Sequence, residues 1–388
     1  MVERMRASVL TDVGCLEIRD MPMPQPGEHD VLLQVTAVGV CGTDFHIFSG
    51  ESNYHMDERG NAIPLSVSPQ VLGHEIAGIV REVGAAVSDL QVGQRVVVDQ
   101  GLTCVSERRE ALCEYCATGD SHQCERYTEY GITGLPGGFA EYLSVPAINV
   151  IAQRGAQLSS AEAAMTEPLG CILHSSERVE RSTQRYRIGA ADAAGRVETI
   201  LICGAGPAGL LFLQYLKSVV RFDGQILITE LDPNKRAVAE RFGATTIDPA
   251  STDLTSAVLE YTNGRRVEYL IEATGAGPIW ADIPGVLRKQ ATVLMYGIGH
   301  GGASLELMNQ VQWKEPTLVL TTGASGSFDP HGRPEVYQRA LGYLEDGTID
   351  VNALISHRYD GLDQVHEAFG GADREPGYVK GVAVLAGD

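Results

Sequence analysis

Positive charge is scarce in this chain: 30 lysine and arginine residues stand against 50 aspartate and glutamate residues, a formal net charge of -20 at pH 7. That excess repels nucleic acid and anionic lipid, so neither is an expected partner. Long apolar runs are missing too, and no window approaches the length of a membrane-spanning helix. Residues 1–10 carry Glu3, Arg4 and Arg6 with no apolar run behind them, unlike a secretory leader. The cytoplasm is the expected location. Internal repeats and low-complexity tracts are absent, and aromatic residues make up only 6%. What remains is 388 residues with 44% hydrophobic content, enough for two domains and a substantial core.

Four stretches carry chemistry. Gly73-His74-Glu75 is followed by two residues, Gly78, five residues, Gly84, two residues and Val87. His74 offers a neutral ring nitrogen to zinc, and Glu75 beside it can bind or steady the same ion. Upstream lies Gly39-Val40-Cys41-Gly42-Thr43-Asp44-Phe45-His46, between them a polar insert over 50–70. Of eight cysteines, Cys104, Cys113, Cys116 and Cys124 cluster, which reads as metal binding before it reads as a disulfide framework. Four thiolates with no other partner make a closed, structural zinc site.

The fourth stretch is Gly204-Ala205-Gly206-Pro207-Ala208-Gly209, preceded by the apolar strand Thr199-Ile200-Leu201-Ile202-Cys203 and followed by a helix. In that setting Gly204 makes the turn, Gly206 lets the backbone approach a pyrophosphate, and Gly209 lets helix pack on strand. The helix that starts at Pro207 adds the N–H of Ala208 and those that follow, with partial positive charge, for the phosphates. Glu230 ends the next strand, about 20 residues on, where a carboxylate binds ribose hydroxyls. It repels the extra phosphate of NADP, which favours NAD. Arg236 lies near enough to complicate that preference, and Asp232 is placed to share the role. Later strand ends at Thr274-Gly275 and Gly297 suit close approach by nicotinamide.

Together these motifs resemble the zinc-dependent medium-chain dehydrogenases, in particular the sorbitol, cyclitol and threonine dehydrogenase branch. The resemblance covers essentially the whole chain, with three inserts. It implies an α/β chain: a Rossmann doubly wound parallel sheet plus a β-rich GroES-like catalytic domain. The expected division is 1–174 for the catalytic domain with a zinc lobe at about 101–126, 175–315 for the NAD-binding domain, and 316–388 for a return to the first. Cys41 and His74 are implied as ligands of a catalytic zinc, joined by Glu75, Glu167 or both in turn. Glu167, in Thr166-Glu167-Pro168-Leu169, stands where simple alcohol dehydrogenases have a second cysteine. Thr43 is implied to take the substrate proton, His46 to pass it to solvent, and Asp44 to orient His74. Cys104 is the implied fourth ligand of the structural zinc, although eight residues separate it from Cys113 where the family has two. The implied activity is NAD-dependent oxidation of a secondary alcohol in a small polyhydroxylated molecule, by a homo-oligomer, dimer or tetramer. Threonine-type amino-alcohol oxidation and a non-catalytic protein on the same fold are the rivals.

Overall fold

The structure, a computed structural model, describes residues 3–155, 157–302, 304–324 and 326–387. The chain divides into two compact units: Met1–Cys171 with Gly323–Gly347 and Ile355–Asp388, and Ile172–Thr322 with Thr348–Leu354. The helix Thr166–Arg181 carries the chain from the first into the second.

In the first unit one strand is the hub. Asp30–Val40 reads DVLLQVTAVGV, rich in valine and buried nearly throughout, so it is fitted to be covered on both faces. It pairs antiparallel with Glu75–Val83 along its length, with Tyr142–Pro146 along its first half, and with Lys380–Val384 along its second. A core of apolar side chains, including Leu33, Val38, Leu72, Ile76 and Phe139, fills the interior. Each such side chain stabilises by about 1.5–3 kcal/mol on burial.

The second unit is a six-stranded parallel sheet. Its order is Thr245–Ile247, Gln225–Thr229, Thr199–Cys203, Val267–Glu272, Leu287–Met295, Thr317–Leu320. The unit's first strand, Thr199–Cys203, therefore sits centrally, and strand order reverses beside it, the position at which doubly wound sheets bind ligands. The strand core Ile200, Leu201, Ile202 and Cys203 is wholly buried, as a strand covered on both faces must be. This is the α/β fold class expected from the sequence.

The return to the first unit differs from expectation. Thr317–Leu320 pairs with Leu287–Met295 as the sixth parallel strand, so the return comes at Gly323 rather than 316. Thr348–Leu354 also belongs with the second unit, where the Gln214 amide both donates to the Asp350 carbonyl (2.9 Å) and accepts from its N–H (2.8 Å). A short apolar strand has the same pattern in either domain, and pairing partners decide.

The glycines of the central loop do different work. A carbon added at Gly209 meets the Gly204 carbonyl oxygen at 2.0 Å, whereas one added at Gly206 meets nothing within 4 Å. Gly209→Ala is accordingly expected to destabilise by about 1–3 kcal/mol, and Gly206→Ala to stay within about 0.5 kcal/mol. Denaturant unfolding of both variants checks this; equal losses would contradict it.

Candidate functional site

Three neighbouring strand ends bring the donors of the first unit together. Asp30–Val40 ends just before Cys41, Glu75–Val83 begins with Glu75 opposite Gly39, and Lys380–Val384 begins one residue before Gly381, which stands opposite Val40. Ligand atoms of Cys41, His74 and Glu75 all lie within 4.8 Å of one another, and His74 and Glu75 are buried. Gly39 is required for this: a carbon added there would fall 1.8 Å from Oε2 of Glu75. Lys380 donates from Nζ to Oε1 of Glu75 at 2.5 Å and to the Val40 carbonyl at 2.9 Å. Oε2 of Glu75, though buried, has no hydrogen-bond partner among the described residues.

Asp44 caps the arrangement from the first turn of the helix Gly42–Ser49. Fully buried, it accepts the N–H groups of Cys41 (2.8 Å) and Gly73 (3.1 Å), and its Oδ1 lies 3.5 Å from Nδ1 of His74. Burial would lower the His74 pKa, but the charges of Asp44 and Cys41 outweigh it and hold the group well above its ordinary value. A thiol, an imidazole and a carboxylate with an orphaned buried oxygen, set in a negative local field, fit a zinc ion with a position left open.

Glu167 stands beside this cluster and outside it. Its Oε1 accepts from the Gln100 amide nitrogen at 3.1 Å and from the Cys171 thiol at 3.2 Å. The Gln100 carbonyl oxygen in turn accepts from the Tyr337 hydroxyl. Burial raises the Glu167 carboxyl to about 7, with His74 opposing the rise and Glu75 adding to it. Asp99, also wholly buried, is raised by burial to about 8.

Thr43 and His46 are three residues apart on the same helix, hence on one face. Thr43 Oγ1 lies 3.9 Å from the Cys41 sulfur, and His46 Nδ1 lies 2.7 Å from Oε2 of Glu51. In the insert over 50–70, Asn53 bonds the Ile63 carbonyl and Asp57 binds Asn61, so these polar groups are used on the loop's own turns. The arginine-bearing insert over 176–197 folds back within its own unit: Arg185 bonds Gln290, and Tyr186 donates to the Lys289 carbonyl.

The second donor cluster is Cys104, Cys113, Cys116 and Cys124, again within 4.8 Å of one another. All are free thiols, and the Cys104 and Cys124 sulfurs are 3.6 Å apart. Two thiolates on one tetrahedral zinc stand about 3.8 Å apart. The Cys116 N–H draws the Cys113 thiol down to about 6, while burial pushes Cys116 upward. Residues 105–112 loop out and return through the Arg109 N–H, bonded to the Cys104 carbonyl at 3.0 Å.

In the second unit the loop Gly204–Gly209 joins the central strand to the helix Pro207–Gln214. Its outer side at Gly206 is open, as approach of a pyrophosphate demands. Glu230 lies across the loop, accepting the N–H groups of Ala205 and Asp232 at 2.9 Å each. Asp232 itself caps the following helix through Asn234. Arg236 bonds the Glu230 and Leu231 carbonyls and lies 3.3 Å from the Asp248 carboxylate. Buried Glu272 fixes the other strand ends: its carboxylate accepts from Thr274 (2.8 Å), Gly275 (3.2 Å) and His300 (2.7 Å), and its carbonyl from Tyr296 and Gly297 (2.9 Å each).

Sequence reasoning missed Lys380, Gln100, Tyr337, Cys171, Glu272 and His300. Only Cys171 left a trace, four residues after Glu167 on a helix face.

Comparison with known proteins adds the following. Residues 27–154 match the alcohol dehydrogenase GroES-like domain, and residues 207–346 match the zinc-binding dehydrogenase domain. The chain is 29% identical to L-threonine 3-dehydrogenase of Pyrococcus furiosus over 91% of this chain and 90% of that one. It is 30% identical to D-arabinitol dehydrogenase 1 of Uromyces fabae over 88% of this chain and 86% of that one. A solved zinc-binding dehydrogenase from Sinorhizobium meliloti, bound to NADP, is 28% identical with a TM-score of 0.77, covering 98% of this chain and 99% of that one.

Asp99 supplies a pH test. Its carboxyl titrates near 8 when folded against a usual value of 3.8. Between those values only the unfolded chain ionises it, so the wild type loses stability as pH rises through that window. Asp99→Asn removes the loss and keeps an acceptor for the Gly101 N–H, which bonds Asp99 at 2.9 Å. Its melting temperature should gain on the wild type's steadily from pH 5 to 8; an offset that does not change with pH would contradict this.

Proposed function

The chain belongs to the zinc-dependent medium-chain dehydrogenases, and we propose that it oxidises a polyol, sugar or cyclitol to the ketone with Cys41, His74 and Glu75 holding the catalytic zinc. The observation that carries this is the mixed thiol, imidazole and carboxylate cluster with its orphaned oxygen. A second carboxylate, Glu167, stands beside it in place of a second thiolate, and such hard oxygen donors leave more positive charge on the metal.

The secondary alcohol gives up a hydride and a proton. When bound, zinc would supply Lewis acidity for the substrate oxygen and NAD would supply the hydride acceptor. This chain's own residues deal with the proton and with binding. Thr43 accepts the hydroxyl proton and His46, on the same helix face, passes it to solvent. Asp44 holds His74 in place, while Lys380 binds one oxygen of Glu75 and leaves the other to the metal. Cys104, Cys113, Cys116 and Cys124 hold a structural zinc that keeps the lobe folded. Gly204, Gly206 and Gly209 with Pro207 and Ala208 receive the pyrophosphate, Glu230 the adenosine ribose, and Thr274 and Gly297 flank the nicotinamide. Arg236 is paired with Asp248 at 3.3 Å, which leaves less of its charge for a 2′-phosphate and supports NAD over NADP.

A homo-oligomer, dimer or tetramer, is supported by the edge strand Thr317–Leu320. Leu320 is 65% exposed and the preceding Trp313 84% exposed, an apolar edge suited to pairing with a second copy. A reducing cytoplasm suits four thiols kept for metal. No helix among the described residues is long and apolar enough to cross a membrane.

NAD reduction is measured with inositols, linear polyols, aldoses, L-threonine and short primary alcohols. Turnover of one polyhydroxylated class with NAD is expected; turnover confined to threonine would move the assignment to amino alcohols. Cys41→Ser should lower kcat/KM by more than about 100-fold with the circular dichroism spectrum unchanged. Preference for NADP in the same assay would overturn the role given to Glu230.

A further inference from the structure

We propose that Gln100 and Tyr337 form a clamp that holds Glu167 off the catalytic metal and so keeps a coordination position open for substrate. The inference rests on the assignment of Cys41, His74 and Glu75 as the ligands of that metal.

Glu167 is near enough to His74 and Glu75 to feel their charges, yet its oxygens are outside the donor cluster. A divalent ion in this buried setting attracts a nearby carboxylate strongly. Joined by Glu167, the three donors become four protein ligands, the closed arrangement of a structural site rather than a catalytic one. Something must hold it back. Its Oε1 is bound by two donors, the Gln100 amide at 3.1 Å and the Cys171 thiol one helical turn on at 3.2 Å.

The Gln100 amide has two ends, and only its NH2 end attracts a carboxylate. Tyr337 decides which end faces Glu167. Its hydroxyl donates to the Gln100 carbonyl oxygen, so the amide cannot turn without losing that bond and setting its oxygen against Glu167. The amide nitrogen has a second acceptor in Glu129 at 3.5 Å, which favours the same orientation. Both clamp residues are anchored: Tyr337 is wholly buried on the helix Glu335–Glu345, and the backbone carbonyl of Gln100 accepts the Tyr130 N–H at 3.0 Å. Gln100 and Tyr337 are positioning residues; neither touches substrate.

The test follows zinc release from the full-length, zinc-loaded chain into excess chelator, alongside kcat. Cys41→Ser identifies the catalytic zinc as the release phase it removes. In Tyr337→Phe, which keeps the ring and loses only the hydroxyl, that phase should slow by about tenfold or more as Glu167 becomes a ligand, and kcat should fall. Gln100→Leu should behave alike. Adding Glu167→Gln to Tyr337→Phe should return zinc release to the wild-type rate, which a packing role does not predict. Unchanged or faster release in Tyr337→Phe, or no recovery in the double variant, overturns the clamp while leaving the ligand assignment standing. Two zinc ions retained by Cys41→Ser overturn the assignment, and the clamp with it.

Discussion

The contact on which the first unit depends is the buried ion pair of Glu75 and Lys380. Charges removed from water must be compensated where they lie, or they are expelled or neutralised. Lys380 compensates one oxygen of Glu75, and the other points into a space bounded by Cys41 and His74 with no hydrogen-bond partner among the described residues. Asp44 and Glu167 add further acid around the same point. A single ammonium cannot balance that set, and a divalent cation can. The backbone is arranged to make the accumulation possible: three adjacent strands end together, and a glycine at 39 leaves the room that the Glu75 carboxylate occupies.

Donor chemistry separates the two candidate metal centres. Four sulfurs on a looped lobe can surround an ion completely, as a structural site does. The mixed cluster has three protein donors and a carboxylate kept at a distance by hydrogen bonds, an arrangement that serves reaction. The second unit follows the same logic without metal. Glu272 is wholly buried but satisfied by backbone and side-chain donors, and so it fixes the strand ends at Thr274 and Gly275. Glu230 lies over the glycine loop, where ribose hydroxyls can replace its backbone partners.

Motifs were legible in the sequence because the residues they join are neighbours in the chain. Cys41 to His46 is one strand end and one helix, His74 and Glu75 one strand start, and the glycine loop one turn. The spacing of such residues survives folding. What was not legible is set by strand register and helix docking. Lys380 meets Glu75 across 305 residues, and Tyr337 meets Gln100 across 237, with no local pattern to announce either. The strand Thr317–Leu320 was assigned to the wrong unit for the same reason, since its residues suit either sheet. In the polar insert over 50–70, Asn53, Asp57 and Asn61 are engaged with the loop itself, which composition alone does not reveal.

The most direct measurement is zinc K-edge X-ray absorption on the purified chain, with the metal counted by mass spectrometry and repeated on the Cys41→Ser variant. Two zinc ions per chain are expected, one ligated by sulfur alone and one by a single sulfur with nitrogen and oxygen, the second lost in the variant. One zinc per chain in an all-sulfur shell, unchanged by Cys41→Ser, would contradict the mixed-donor catalytic centre.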